Sequence, residues 1–478
     1  MMSLLLWHRI APLLLLIAPA FAPAADAPAG PADVRSFGAT GDGSGDDAAA
    51  IERAIASGAG SIQFPKGTYR LSKTVTIDLD KTGPIALIGH GTARIRMAGP
   101  GAAFEFIGTH QGTASPNTFK TDFWDRQRTP MVDGLEITGD HPEADGIAAA
   151  GTMQLTVTRC ALRELRHGIR LFRRNRNILI DACHIYNNHG IGIFYDDVSL
   201  HQSNIGDCHI SYCDGGGVVS RAGDVRNVHI GNCDIESNMA TNAPPTANIL
   251  LDSSGGSIGE VAITGCTIQH NSQSPDSANI RIIGAGRAGG LARRIGSEFT
   301  SEGHVTITGN VLSDVRVNVH VRGARGVVMT GNTFWMGYDH DLLVEDSSNI
   351  VVGENNFDRN PRYSYGTSQA ANGGIVFRGC RDSTLNGIHV NGALRQPAAV
   401  LVENCARMNI TGCTILDSDG PGLAMVNTSH SLVSACLIRD DRAEKAPAPS
   451  LRITGGTGNS TADNILSSPA EIDPASAR

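Results

Sequence analysis

The sequence predicts an all-β solenoid, in which short parallel strands stack coil upon coil. One stretch is repeated almost three times between residues 177 and 238, as ILIDACHIYNN, NIGDCHISYCD and NVHIGNCDIESN. Short β-branched runs alternate with Gly, Asn and Asp, which is typical of strands joined by turns. Only 18% of the residues are charged and 5% aromatic, while 56 of 478 are Gly. This mixture suits a turn-rich β protein and argues against a helical bundle.

The repeats share one register, which extends over most of the chain. Their alignment places Cys183, Cys208 and Cys233 at the same position of successive coils. In a parallel stack, equivalent side chains lie above one another at a spacing of about 4.8 Å, so this position becomes a column. We call it the ladder column, and its predicted members are Leu135, Cys160, Cys183, Cys208, Cys233, Cys266, Asn310, Asn332, Asn355, Ile388, Cys413 and Cys436.

Cys and Asn in the ladder column predict a structural role. Small thiols and amides tolerate a buried turn, and amides also bond to their copies above and below. The chain has no CxxC pair and no Cys/His spacing of a zinc site, which argues against metal binding by these cysteines. Export would permit disulfides between neighbouring coils, such as Cys183 with Cys208 or Cys380 with Cys405, but we expect free, buried thiols.

The first 33 residues predict an exported protein. Residues 1–24 have the pattern of a secretory signal peptide, with Arg9 in a short positive start, an apolar run, and small residues before a cleavage point after Ala24. Residues 25–33 are rich in Ala, Pro and Gly and predict a flexible leader. We therefore expect a secreted or periplasmic protein with no membrane span after signal removal. Removal of one Arg and no acid changes the net charge from −8 to −9, which excludes a general nucleic-acid binder.

Residues 34–98 predict an N-terminal cap followed by the first coils. Asp46 or Asp47 is placed to cap a short helix, which would cover the open end of the stack, where unpaired strand edges invite aggregation. The Asp-rich loop 42–47 has the start of a calcium loop, but its twelfth position holds Arg53 instead of a bidentate acid, so a turn and a cap are favoured. The apolar face of the helix comprises Ala50, Ile51, Ala54 and Ile55.

The same segment resembles a known family. The runs SFGATGDGSGDD, AIERAI and FPKGTY, between Val34 and Ile77, are similar to the N-terminal signature of the rhamnogalacturonase, epimerase and pectate-lyase-like superfamily. The resemblance implies a right-handed parallel β-helix with a short N-terminal capping helix, and a carbohydrate-active function. Coils are expected over residues 99–440. For residues 441–478 we expect a last β segment at 451–453 and partial disorder, because this end is rich in Pro.

Chemistry is expected on the outward columns, since the inward columns of a β-helix form its core. The column directly after the ladder column carries two imidazoles and a carboxylate, and the column two residues further carries a phenol, a carboxylate and a guanidinium. These groups fall within roughly 15 Å, three strand spacings, and suit proton transfer. The alternative is a polar ladder on a solvated sheet face. The candidate catalytic residues are His184, His209, His189, Tyr186, Asp234 and Glu236.

The coil before these groups is basic, with seven arginines between residues 159 and 176 against one acid, Glu164. Guanidinium pairs carboxylate or sulfate in bidentate fashion, so this coil is expected to attract an anionic polymer. An aromatic segment around residue 124 forms either a wall of a sugar site or a loop over the barrel. The paired acids at 196–197 suit a bound cation, so Ca²⁺ is the one cofactor considered, although the sequence shows no dedicated metal site. The candidate substrate-binding residues are Arg163, Arg170, Asp196, His201 and Trp124.

The family comparison narrows the reaction. In polygalacturonases, members of the superfamily that the N-terminal segment resembles, a coil with Asn-Thr-Asp-Gly is followed by one with Asp-Asp and one with Gly-His-Gly. At the corresponding places Asp145 and His189 match, but Arg166 and His167 replace the two acids. Inverting hydrolysis needs an acid and a base on either side of the bond. Arg and His suit β-elimination or C5 epimerisation of a uronate better, because a base then removes the proton beside a carboxylate while a cation holds the charge.

The sequence therefore predicts an enzyme that acts on an acidic, uronate-containing polysaccharide or oligosaccharide by β-elimination or C5 epimerisation. The Asp-Pro-His-Asp motif of the alginate epimerase relatives is absent from the chain. One alternative is a glycoside hydrolase on the same scaffold, using Asp234 with Glu236 or Asp145 with Asp196. The other is a non-catalytic β-helix that binds polysaccharide or builds surface structure. An enzyme releases unsaturated or reducing ends, whereas a binder releases no product.

Overall fold

A computed structural model describes residues 30–111, 120–242, 246–284, 302–360 and 366–477. The predicted signal peptide at 1–24 and most of the predicted leader at 25–33 fall outside these ranges. Among the described strands, the pairings are parallel, and each coil pairs with the coil before it and the coil after it. The predicted all-β solenoid is confirmed.

Each coil runs along three faces, which we call A, B and C in chain order. Four long strands run along face A, bend and continue along face B: Ile169–Asp181, Ile191–Gly206, Gly216–Gly231 and Ala247–Thr264. The other strands of face A are Val75–Asp78, Gly101–Ile107, Ala144–Ala150, Ala278–Ile283, Val315–Arg322, Gly337–Glu345, Ile375–Arg378, Val400–Glu403, Leu423–Val426, Leu451–Thr454 and Glu471–Ile472, with Thr152–Met153 at the bend.

Faces B and C meet at the ladder column, and two strands, Ala86–Met97 and Met131–Gly139, pass from one to the other. The other strands of face B are Ala32–Asp33, Ser61–Gln63, Thr156–Thr158, Glu302–Thr308, Arg325–Thr330, Ser348–Val352, Arg381–Asn386, Ala406–Thr411, Leu432–Ser434 and Ser460–Ala462. Face C consists of Asp42–Asp46, Gly67–Leu71, Ala161–Arg163, His184–Tyr186, His209–Ser211, Asp234–Glu236, Thr267–Gln269, Val311–Ser313, Thr333–Phe334, Asn356–Asp358, His389–Asn391, Thr414–Leu416, Leu437–Arg439 and Ile465–Leu466.

The strand pairing reproduces the predicted ladder column. The residue after each column member pairs with the residue after the next, from Ala161 with His184 to Leu437 with Ile465. The column therefore continues to Asn464. Its predicted members are all buried and border an aliphatic core that fills the coils.

Thiols and amides in the ladder column make equivalent hydrogen bonds. Cys183 Sγ donates to the carbonyl two residues before it at 3.2 Å and to a carbonyl of the preceding coil at 3.6 Å. Asn332 Nδ2 donates to the two equivalent carbonyls at 3.2 and 2.9 Å. The amides also bond to one another, because Asn310 donates to Asn332 Oδ1 at 3.0 Å and Asn332 donates to Asn355 Oδ1 at 2.9 Å. All ten cysteines are buried and unbridged, as expected.

The predicted capping helix is α1, Ala48–Ala56, and of the two aspartates predicted to cap it, only Asp46 bonds to it through its side chain. Asp47 stands at the N-cap, yet its Oδ1 accepts from Thr40 N at 2.7 Å and does not bond to the helix. Asp46 Oδ1 accepts from Ala48 N at 3.3 Å and from Ser72 N at 3.1 Å. The Asp47 side chain thus stabilises the loop before the helix, and the Asp46 side chain links the first residue of the helix to the next coil. The predicted apolar face is buried and contains Ala50, Ile51, Ala54 and Ile55.

The remaining helices are short: α2 is Leu79–Thr82, α3 is Thr121–Arg126, and Val34–Phe37 and Gly366–Ala370 are 3₁₀ turns. None of the helices in the described ranges has the length and hydrophobicity needed to cross a bilayer.

The stack continues beyond residue 440. The expected β segment at 451–453 is present, and the three strands that follow it also pair in parallel with the coil before them. Arg442 bonds to Asp419 at 3.1 Å and to Asp440 at 2.9 Å. This differs from the partial disorder expected for residues 441–478, because strand pairing and these ion pairs tie the segment to the stack.

A second chain of buried amides lies in the interior beside face A. Asn238 donates to Asn248 at 3.0 Å, Asn248 to Asn279 at 2.8 Å, Asn279 to Asn318 at 2.9 Å, and Asn318 to Asp341 Oδ1 at 3.0 Å. An amide both donates and accepts, whereas a carboxylate only accepts, so Asp341 ends the chain. Burial raises the pKa of Asp341 to about 6, from an ordinary value of 3.8.

The raised pKa makes stability depend on pH. The folded state resists ionisation of Asp341, so stability from this group is full below about pH 4 and is lost as the pH rises to about 6. Asp341→Asn keeps an acceptor for Asn318 and removes the titration. We expect the difference in unfolding free energy between pH 4 and pH 7 to change by about 3 kcal/mol relative to wild type. Urea denaturation at both pH values measures it, and an unchanged difference would contradict the assignment.

Candidate functional site

Face C brings the two predicted imidazoles together. Its strands pair in the register His184 with His209 and His209 with Asp234. The two rings stand edge to face, with centroids 5.9 Å apart and planes at 74°. His184 is exposed and His209 is half-buried, so the pair faces outward and not into the core. Two proton-transfer groups on neighbouring strands are thus open to one ligand.

The second predicted column stands beside this pair and carries Tyr186 and Glu236, in register with each other through Ser211. Tyr212 Oη lies 3.5 Å from Glu236 Oε1, and Gln269 Nε2 donates to Glu236 Oε2 at 3.2 Å. An open depression of about 370 Å³ lies over these strands. We call it the histidine groove, and it is lined by Ala161, His184, Tyr186, Asn187, His209, Ser211 and Tyr212.

Tyr212 is a functional candidate that the sequence reasoning missed. Its side chain is 52% exposed, and its backbone has a φ of 54°. A bulky side chain rarely adopts this left-handed conformation, and such positions often serve function. The coil before has Asn187 at the same turn, with a φ of 53°. The replacement of a turn-forming Asn by Tyr is the signal that could have revealed it.

The carboxylates of the site differ in their surroundings. Burial raises the pKa of Asp234, and the nearby Glu236 carboxylate adds to the increase, while His209 opposes it. Glu236 instead accepts hydrogen bonds from Gln269 and Tyr212. The raised pKa of Asp234 favours it as a proton donor, whereas Glu236 is held by its two hydrogen bonds.

Arg163 reaches the edge of the groove, but its charge is already paired. It bonds to Glu136 at 2.7 Å and to Glu164. Other arginines of the same coil are also paired, as Arg166 is with the buried Asp145 at 2.6 Å. Four of the seven arginines, Arg159, Arg163, Arg166 and Arg170, thus pair with acids that the count within residues 159–176 left out: Asp133, Glu136 and Asp145 of the preceding coil and Asp196 of the following one. Glu136 follows Leu135 in the ladder column, so the register places it on the strand beside Arg163 but does not specify the bond between the two side chains.

Four further candidates lie away from the histidine groove. Arg170 and Asp196 pair with each other on face A at 2.6 Å. His201 lies at the bend between faces A and B, in a column with Arg176 and Arg226. Trp124 lies on α3 and is 42% exposed. The structure does not bring these residues to the two imidazoles, because the turns of the coil send them to other faces.

His189 and the motif positions next to it form a separate cluster. His189 Nε2 donates to the Pro142 carbonyl at 2.8 Å. Asp145 accepts two bonds from Arg166, at 2.8 and 2.6 Å, and one from the His167 backbone at 3.1 Å. His167 Nδ1 accepts from a backbone amide at 3.0 Å, and burial lowers its pKa to about 4. The acids of the polygalacturonase motif are thus replaced by a closed, hydrogen-bonded cluster.

A metal ion would find oxygen ligands mainly at Asp234 and Glu236. Ca²⁺ takes six to eight oxygen ligands, and carboxylates are its preferred donors. The described residues contain no group of three or more His, Cys, Asp or Glu placed to hold a metal ion. The two carboxylates fit part of a calcium shell, which a bound substrate carboxylate and water would have to complete.

Parallel coils, an interior ladder of Cys and Asn, and a polar groove on one outer face define the class: a parallel β-helix protein with its candidate site on the side of the stack. Three family models match successive parts of the chain. They are "Rhamnogalacturonase A/epimerase, pectate lyase-like" over residues 32–133, "Right handed beta helix region" over 124–268, and "Periplasmic copper-binding protein (NosD)" over 251–431. The first confirms the resemblance of the N-terminal segment, and the second confirms the right hand of the coil.

Two solved tailspike structures show the same fold at low identity. The tailspike protein gp49 from Pseudomonas phage LKA1 is 13% identical, with a TM-score of 0.51 over 90% of this chain and 84% of that one. The Dettilon tailspike protein is 13% identical, with a TM-score of 0.50 over 92% and 68%. The A-module of mannuronan C-5 epimerase AlgE4 from Azotobacter vinelandii is 14% identical, with a TM-score of 0.37 over 92% and 97%. The comparison with curated proteins gave no match.

Proposed function

We propose that the protein is an exported, polysaccharide-active enzyme whose substrate lies across the histidine groove. The observation that carries the proposal is the pair of accessible imidazoles, with ring centroids 5.9 Å apart, in a groove that Tyr186 and Tyr212 also line. Aromatic rings offer flat apolar surfaces to sugar rings, and imidazoles transfer protons near neutral pH. Two family models support the proposal. The description of one names carbohydrate-active enzymes, which supports activity on a polysaccharide, and the description of the other names a periplasmic protein, which supports export.

The reaction that these groups suit best is proton transfer at the carbon beside a uronate carboxylate. One imidazole of the pair takes up the proton. In β-elimination, the second imidazole or the Tyr186 hydroxyl protonates the departing oxygen. In C5 epimerisation, it returns a proton to the carbon. Because His184 and His209 lie on adjacent strands, both reach one sugar residue.

The substrate carboxylate needs a positive partner, and Arg163 is the nearest candidate. Its Nη2 is held by Glu136, which is half-buried. Its Nη1 bonds to Glu164, whose side chain is 55% exposed. A substrate carboxylate replaces the exposed partner more readily, because the bond to Glu164 is the one open to solvent. Ca²⁺ held by Asp234 and Glu236 would supply the same charge stabilisation.

Glycoside hydrolysis is the second candidate, favoured by the unequal environments of Asp234 and Glu236. These residues stand two positions apart on one strand, so both side chains project from the same side of it. Inverting glycosidases place their two carboxyl groups about 6.5–9.5 Å apart, with the acid of raised pKa protonating the leaving oxygen. Asp234, with its raised pKa, would be the acid, and Glu236 the base.

One experiment separates these reactions. Purified protein is incubated with uronate polymers and with neutral glycans in deuterated buffer, with added calcium or with chelator. We expect ultraviolet absorbance of an unsaturated end from elimination, or deuterium at C5 from epimerisation. Reducing ends without absorbance would indicate hydrolysis. Binding without product or exchange on every polymer would contradict the enzyme proposal and favour a non-catalytic binder.

A further inference from the structure

A second groove lies on the opposite side of the ladder column, where each coil turns from the bend into face B. It encloses about 500 Å³, within the range of about 300–1,000 Å³ that ligand sites occupy. Its lining is uncharged amide, hydroxyl and aliphatic side chains with one imidazole, His229. We call it the amide groove. It shares no lining residue with the histidine groove.

The amide groove is built on a row of four amides. Gln154, Asn177, Gln202 and Asn227 occupy the same turn in four successive coils, with φ values of 62°, 53°, 69° and 57°. The residues just before them pair in register, so the row stacks at about 4.8 Å. The next coil has Glu260 at this turn, so the uncharged row ends with the groove.

The hydrogen-bonding capacity of the row is unused within the described chain. No side chain of these four residues, nor of Asn204 beside them, has a hydrogen-bond partner among the described residues. The contrast with the interior is sharp, because buried amides of the ladder column donate and accept along the whole stack. Apart from the buried Oδ1 of Asn177, the donors and acceptors of these five amides can be satisfied by hydroxyl groups, which also donate and accept.

We propose that the amide groove binds an uncharged glycan chain running parallel to the helix axis. Sugar hydroxyls match the mixed donors and acceptors, and the absence of carboxylate, guanidinium or ammonium groups among the described lining residues gives no preference for a charged ligand. Leu179 is 43% exposed in the same groove and offers an apolar contact to the C–H face of a sugar ring. A row with one amide per coil suits a polymer, which presents the same groups at regular intervals. The site is independent of the reaction at the histidine groove.

Affinity electrophoresis tests the proposal with the full chain. The probes are two neutral polysaccharides, a galactomannan and a mixed-linkage β-glucan, and polygalacturonate is the anionic comparison. We expect at least one neutral probe to retard the wild type equally at low and high salt. Asn177→Ala with Gln202→Ala should weaken that retardation by about tenfold or more, since each lost hydrogen bond is worth about 1 kcal/mol.

The control variant is Asn349→Ala. Asn349 occupies the same turn in a later coil, with a φ of 54°, so its replacement introduces the same backbone strain outside the groove. It should leave retardation unchanged. The proposal is overturned if neither neutral probe retards the wild type, or if the double variant binds as well as the control. Binding of an extended peptide or of a second copy in place of glycan, detected by peptide array or sedimentation, would also overturn it.

Discussion

Alanine at His184 or at His209 is expected to lower turnover of the polysaccharide by about 10²- to 10⁴-fold, the usual contribution of a positioned acid or base. Both imidazoles project from face C. Their strands are held by backbone bonds and by the buried Ile185 and Ile210, which the substitutions leave in place. The loss should therefore appear in kcat on the substrate that the product screen identifies, with an unchanged circular dichroism spectrum.

A histidine in the same column supplies the control for this prediction. His389 is exposed on face C several coils away from the groove. His389→Ala should retain full turnover, because it removes an imidazole from the face but not from the site. Full activity of both the His184 and the His209 variant would remove the pair from the mechanism and leave Asp234 with Glu236 as the candidate acid and base.

Asn332→Ala is expected to give a large loss of stability, about 3–5 kcal/mol in unfolding free energy. The substitution leaves both the backbone N–H and the Nδ2 of Asn310 without their acceptor, and removes a donor from Asn355. Each unsatisfied buried group costs about 1–3 kcal/mol. Denaturant unfolding followed by circular dichroism measures the shift.

Asn332→Cys should cost about half as much, because the single S–H of a thiol at this column lies within reach of the same two carbonyls that Asn332 uses and can donate to one of them. The thiol is a weaker acceptor for the Asn310 N–H than the amide oxygen, as Cys208 Sγ is for the Cys183 N–H at 3.5 Å, so some loss remains. If the Cys variant were no more stable than the Ala variant, the two residue types would not be interchangeable in the ladder, and its interpretation would be wrong.

The ladder column was predictable because it repeats. A coil imposes the same turn and the same buried environment each time, so Cys, Asn and Ile recur at one register and mark it directly. The neighbour relation of His184 and His209 followed from that register alone. The fold and the central pair of the candidate site, His184 and His209, can thus be predicted from the sequence, because both depend on position within a repeat.

Electrostatic partners and turn geometry were not predictable in the same way. Arg163 meets Glu136 because the two side chains lean toward each other across adjacent strands, and the pair occurs once and not in every coil. His201 and Arg170 are close in sequence to the histidines, yet bends of a few residues rotate them onto other faces. Such features depend on individual side chains, and no periodic pattern records them.

The ten unbridged thiols have a consequence for the dynamics of the stack. A thiol that solvent cannot reach reacts with an alkylating reagent only when its own coil opens. The thiols are distributed from residue 160 to residue 436, so the alkylation rate of each one measures how often its own coil opens. The order in which the thiols are modified would therefore rank the coils from the least to the most stable against local opening.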